Sequence, residues 1–171
     1  MPTAILDLGP CVVDWDEGTA IFSKTLGGVK FRYEELQQEI VEDQQGLTHV
    51  DDVTIGVVNP ILEVPMTRED LDKLVLLFGN ASESSNLEVA NPVGTAVYAS
   101  AAQVIVKPII NGVVSVTPSQ WLYIHKAFPR VTLEYTWDNS GQRMTTVLFK
   151  GYPCTISSVI GALWRIGDDG V

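Results

Sequence analysis

The stretch Val29-Lys30-Phe31-Arg32-Tyr33-Glu34 alternates strictly, with Val, Phe and Tyr on one side and Lys, Arg and Glu on the other. Successive side chains of a strand point to opposite faces, so a period of two built from β-branched and aromatic residues marks a half-buried β-strand. Gly27-Gly28 punctuates its start, and Thr19 to Leu26 is the expected hairpin partner. Downstream, Gln37 to Asp43 reads as either a second strand or a loop, because its polar residues do not alternate cleanly. Asp43-Gln44-Gln45-Gly46 reads as a turn. Val50 to Val64 is long and β-branched, but Gly56 and Asn59-Pro60 interrupt it. A proline donates no ladder hydrogen bond, so a bulge, edge or bend is expected there.

The second half carries the same kind of pattern. Thr95 to Lys107, Val113 to Val116, Trp121 to Ala127, Val131 to Trp137 and Thr145 to Phe149 are strand-like. Asn111-Gly112 is a strong hairpin turn, and Asp138-Asn139-Ser140-Gly141 marks a second one. Asn80 to Asn91 is polar and reads as a loop, whereas Ile156 to Ile166 suits a strand or a buried helix. One segment is helical: Thr67 as N-cap, Glu69 and Asp70 in the first turn, then Leu71, Leu74, Val75 and Phe78 at helical spacing, stopped by Gly79. That makes an amphipathic helix of about three turns. Many hairpin-linked strands with a single helix argue for a mainly β fold. The expected architecture is two packed antiparallel sheets, a sandwich or barrel, with one flanking α-helix in one domain over residues 1–171.

Composition narrows the function. Apolar residues at 46% and charged residues at 19% exclude general disorder. The 21 acids against 11 Lys and Arg leave a net charge of −10. Gripping a duplex or an anionic membrane needs the opposite sign. The excess is uneven: residues 1–60 hold 11 acids and 3 bases, while residues 121–171 hold 4 acids and 5 bases. Such polarity helps copies of a chain associate head to tail, or simply solvates one face. The most apolar stretch, Val97 to Val106, is far short of the ~20 residues of a membrane span. No basic region precedes an apolar core at the start, so no signal peptide is expected. Cys11 and Cys154 lie far apart and read as two separate thiols.

No catalytic constellation assembles from the residues. Asp14-Trp15-Asp16-Glu17-Gly18-Thr19 after Cys11-Val12-Val13 resembles the aspartate pair of haloacid-dehalogenase phosphatases, and Gly167-Asp168-Asp169 their distal acidic motif. Glu17 intrudes before Gly18-Thr19, however, and the helices of a parallel α/β fold are missing, so a charged hairpin tip is the sounder account. The stretch is not an EF-hand either, with Thr19 where Gly belongs and Thr25 where the bidentate Glu belongs. His49 and His125 sit in no ligand-like spacing, and there is no nucleophile elbow or Gly-rich phosphate loop. No catalytic residue, cofactor or metal is expected. Four Trp and five Tyr keep a carbohydrate-binding β-sandwich as an alternative.

Several pieces in order look like a known family: Leu8-Gly9-Pro10-Cys11, then Gly27-Gly28-Val29-Lys30-Phe31-Arg32-Tyr33-Glu34, then Asp43-Gln44-Gln45-Gly46 and Thr48-His49-Val50-Asp51, then Ile61 to Pro65 running into the helix of Leu71, Leu74 and Phe78. The first half of the chain thereby resembles tail tube (major tail) proteins of long-tailed bacteriophages. Their order and spacing carry the likeness; the turn here has one extra residue before Thr48. The second half is similar only in character.

The resemblance implies a structural protein of the virion tail rather than an enzyme. Tubes of that family are stacked hexameric rings whose inner strands form one β-barrel around a lumen that conducts the genome. The implied partners are copies of the chain, other tail proteins (tape measure, terminator, a sheath where present) and phage DNA that slides past without specific binding. A negative wall suits such a lumen. Lys30, Arg32, Glu34, Glu39 and Glu42 are the candidate lumen-facing residues, with a mixed or salt-bridged lining as the competitor. Asp43, Gln44, Gln45, Gly46 and Thr48 are the candidate contacts between rings. A single-ring tail protein, such as a distal tail, terminator or completion protein, is the alternative within the same fold.

Overall fold

A computed structural model describes residues 9–25, 27–42, 48–67, 71–78, 81–83, 87–89, 93–94, 96–134, 144–155 and 160–168. The elements run β1 (Cys11–Trp15), β2 (Ala20–Phe22), β3 (Lys30–Glu42), β4 (Thr48–Met66), α1 (Leu71–Leu77), β5 (Ala81–Glu83), β6 (Leu87–Val89), β7 (Ala102–Ile110), β8 (Val113–Val114), β9 (Leu122–Glu134), β10 (Met144–Gly151) and β11 (Trp164–Ile166). The protein is mainly β. Its ladders are antiparallel, in the order β2-β1-β7-β9-β10-β4-β3, with β11 added to β9 and β8 to β7.

Instead of two packed sheets there is one nine-stranded sheet, and a separate two-stranded piece, β5–β6. Strand β9 is the reason. The separate strands expected at Trp121 to Ala127 and Val131 to Trp137 are a single strand through Pro129. Its first half pairs with β7, from Val106↔Leu122 to Ala102↔Ala127. Its second half pairs with β10, from Gly151↔Ala127 to Met144↔Glu134. The Tyr152 N–H donates to the Lys126 carbonyl at 2.7 Å. Alternate residues therefore aim their backbone groups at β10, and Pro129 aims its nitrogen at the other edge. There β7 has already ended, so the missing donor costs no ladder bond.

The sheet rolls around one core. Val13, Val64, Val104, Ile124, Val147 and Phe149 are fully buried, drawn from five different strands. Phe149 is central, with the rings of Trp15 and Phe22 each 6.0 Å away and tilted. The β2 end returns to β4 through a bridge between Thr25 and Met66. Beside it, the Thr67 N–H and hydroxyl both donate to the Lys24 carbonyl, at 3.0 and 3.2 Å. Helix α1 is described over Leu71–Leu77, residues 68–70 of the expected helix lying outside the described residues, and it lies next to this seam. Leu77 enters the core, and Lys73 Nζ donates to the Ile21 carbonyl at 3.1 Å.

Other expectations divide. The Asn111-Gly112 turn between β7 and β8 has both residues at positive φ, 52° and 78°, as a two-residue hairpin turn requires. Thr19 to Leu26 does not partner the 29–34 strand: Ala20–Phe22 pairs with β1, and β3 pairs with β4. The polar 80–91 stretch, expected as a loop, contains the β5–β6 pair. The Asp138–Gly141 turn lies outside the described residues. Among those described, no helix is long and apolar enough to cross a membrane.

Candidate assembly surface

The β3–β4 pair outgrows the sheet. Strand β10 covers β4 only from Ile61 to Met66. From Thr48 to Val58, β4 has β3 as its sole neighbour among the described residues, and β3 has only β4. The result is a two-stranded arm, roughly 30 Å long for the nine residues of β3 beyond Tyr33. Gln37 to Glu42, ambiguous in sequence, is thus the continuation of β3.

The base of the arm is firmly held. Phe31 and Tyr33 both stand edge-on to Trp164 of β11, at 5.2 and 5.4 Å. Pro60 is fully buried where β4 leaves the body. The register slips there, between Arg32↔Ile61 and Glu34↔Val58, which places the expected irregularity at Asn59-Pro60. Two further slips follow, and in each the extra residue is on β4: Ile55, between Leu36↔Gly56 and Gln37↔Thr54, and Val50, between Ile40↔Asp51 and Val41↔His49. Each bulge bends the strand and sharpens its twist.

Past Tyr33 nothing among the described residues covers either face. Every residue from Glu34 to Val41 and from Asp51 to Ile55 is exposed. Leu36 is 44% exposed, Val53 45% and Ile55 64%. Because the extra residues are all on β4, β3 keeps an unbroken alternation. Even positions place Glu34, Leu36, Gln38 and Ile40 on one face, joined by Val58, Gly56, Val53 and Asp51 across the ladder. A Cβ placed on Gly56 would stand 3.8 Å from Leu36 Cδ1, as expected for one face. Odd positions place Glu35, Gln37, Glu39 and Val41 on the other, with Val57, Thr54 and Asp52. Tyr33 Oη donates to Glu35 Oε1 at 3.2 Å along that odd row. Burial, then that bond and the Glu35 charge, push the Tyr33 phenol above its usual range.

The even face is thus the more apolar, with Glu34 and Asp51 at its margins, and the odd face carries Glu35, Glu39 and Asp52. The candidate residues divide accordingly. Lys30, Arg32 and Glu34 are exposed and share the even face, and Lys30 Nζ lies 3.6 Å from Glu63 Oε1. Glu39 is exposed on the opposite face, opposite Asp52, so Glu34 and Glu39 do not line one wall. Glu42 is the last residue of β3, in register with Thr48, the first of β4. Asp43, Gln44, Gln45 and Gly46 lie outside the described residues. Sequence reading missed Leu36, Ile40, Val53 and Val58 as an exposed apolar stripe, because an alternating pattern names a face without saying what covers it.

Away from the arm, Asp14 and Lys107 are engaged in structure. Asp14 Oδ2 accepts from Lys107 Nζ at 2.7 Å and Asp14 Oδ1 from the Gly18 N–H at 2.7 Å. The Lys107 ammonium also lies over the Trp121 ring, 4.8 Å from its centroid. The Asp16-Glu17-Gly18 tip holds positive φ at all three residues, which is the charged hairpin tip expected there. His125 is buried, and its backbone N–H donates to the Leu163 carbonyl. No group of three His, Cys, Asp or Glu among the described residues is placed to hold a metal ion. Compared with known proteins, the chain matches no family model, and no curated protein matches it either.

Proposed function

We propose that the protein is a tail tube subunit of a long-tailed bacteriophage, building stacked hexameric rings whose lumen conducts the genome. The observation that carries the reading is the arm: two long strands with both faces exposed and both edges without a partner among the described residues. An isolated two-stranded pair is marginal in water, and a long open edge invites another strand. Such an element makes sense in a subunit finished by its neighbours, and the ordered motifs of the first half point to the same family. In this reading the odd face, with Glu35, Glu39 and Asp52, supplies the negative wall, which repels phosphates at close range. The even face packs against protein. The tape measure, terminator and any sheath are partners at the ends and outside, and DNA passes without specific binding.

Negative-stain electron microscopy of the purified full chain tests the proposal. Hollow tubes of uniform width are expected. Single rings that never stack would move the chain to the single-ring tail proteins. A monomer at every concentration would end both readings. Deleting Glu42 to Thr48, the candidate contact between rings, should leave a folded subunit that builds no tubes.

A further inference from the structure

The outer face of the sheet body carries a basic grid beside the acidic arm. Register sets Arg32, Ile61, Lys150 and Phe128 in one row across β3, β4, β10 and β9. The next row is Lys30, Glu63, Leu148 and Arg130. Between the rows, Phe31, Leu62 and Phe149 turn into the core, so both rows turn outward. Lys30, Arg32, Arg130 and Lys150 are exposed, while Ile61, Phe128 and Leu148 are half-buried. Four cations and one carboxylate thus frame three apolar side chains, with neighbouring strands about 5 Å apart.

The arm is the complement. From Glu34 to Val58 the sequence holds seven acids and no Lys or Arg. Its even face sets Glu34 and Asp51 around Leu36, Ile40, Val53 and Val58. The arm continues the same two strands that carry part of the grid, so it cannot fold back onto its own grid without breaking them. We propose that the apolar, acidic face of the β3–β4 arm docks on the basic grid of a second copy of this chain. Leu36, Ile40, Val53 and Val58 then cover Ile61, Phe128 and Leu148, while Glu34 and Asp51 reach the cations. Charge steers the encounter and sets the register, and apolar contact holds it. The inference goes beyond the tail reading and does not depend on it.

Sedimentation velocity on the full chain, over a concentration series at low and high salt, tests the docking. Self-association that weakens as salt rises is expected. Reversing the grid with Arg130→Glu and Lys150→Glu should weaken association about tenfold or more, since like charges then face each other. These side chains are exposed, so the melting temperature should hold, and circular dichroism checks it. Reversing the arm with Glu34→Lys and Asp51→Lys should do the same, and all four changes together should restore association. A chain that stays monomeric, or an association indifferent to the reversals, overturns the docking; so does a combined variant that fails to recover. Tubes formed equally well by the grid-reversed protein would overturn it and leave the tail reading standing. A closed dimer that obeys the charge swaps would do the opposite.

Discussion

Phe149 and Leu36 are both large apolar residues on long antiparallel strands, yet the first is fully buried and the second is 44% exposed. The difference lies in their neighbours. Strand β10 is flanked by β9 and β4, and its inward face meets Trp15 and Phe22 from β1 and β2. Beyond Tyr33, β3 has one neighbour and no layer against either face among the described residues. Body and arm therefore use the same residue types with opposite outcomes. Burial is conferred by topology: an arm rich in β-branched residues stays exposed where no second layer among the described residues packs on it.

The largest effect belongs to the centre of the body. Phe149→Ala should cost about 3–5 kcal/mol, read as a lowered urea midpoint, because the ring fills the space between Trp15 and Phe22. A loss below ~1 kcal/mol would mean that the body is no better packed than the arm. Next comes the Asp14–Lys107 pair. Asp14→Ala takes the carboxylate from a largely buried ammonium and from the Gly18 N–H, and should cost roughly 1.5–3 kcal/mol. Adding Lys107→Met should recover part of that loss, since the unpartnered charge is then gone. Gly151→Ala probes the joint where the arm leaves the body. Its new Cβ would meet Pro60 Cγ at 2.5 Å and Ile124 Cγ2 at 2.9 Å. A ring and a branched side chain have little room to retreat, so a loss of about 1–3 kcal/mol is expected in thermal or urea melts.

How far these regions were legible in the sequence follows from what each pattern encodes. Alternation in Val29 to Glu34 identified a strand and its faces, and Asn59-Pro60 marked a bulge, edge or bend, because both are local backbone facts. Partner choice is not local: the stretch 19–26 adjoins β3 in sequence, but its Ala20–Phe22 pairs with β1. The β5–β6 pair was hidden by its polar composition. The strand pattern was split into Trp121 to Ala127 and Val131 to Trp137, whereas one strand runs through Pro129, which the end of β7 makes harmless. The odd position of Glu39, opposite in face to Glu34, was readable from parity alone once β3 is known to run unbroken to Glu42. Arg130 and Lys150 were out of reach, since only the long-range register of β3, β4, β10 and β9 makes them neighbours of Arg32.

A smaller effect separates the body's rim from its centre. Cys11 is half-buried, and burial pushes its thiol above the ordinary value. The folded state then holds the proton more tightly than the unfolded chain. That contribution is fully present below the unfolded thiol pKa, near 8.5, and is lost as pH rises through the raised folded value. Melting temperatures from pH 7 to pH 10 should fall more steeply for the parent than for Cys11→Ser. Parallel curves would show that the thiol is as wet when folded as when unfolded.

The smallest effect on the isolated chain is expected in the arm, and it is the sharpest test of the contrast. Ile55 is the extra residue of a β4 bulge and is 64% exposed. Ile55→Thr keeps the β-branch and removes apolar surface that water already touches. Almost no transfer energy is lost, and the urea midpoint of dilute monomer should stay within about 0.5 kcal/mol of the parent. The same reasoning applied at Phe149 gives a loss several times larger, although both changes remove an apolar group from a strand. A loss above ~1 kcal/mol at Ile55 in a monomeric sample would mean that the arm is covered by its own chain. The apolar face would then have no surface left to offer a second copy, and the body alone would account for the fold.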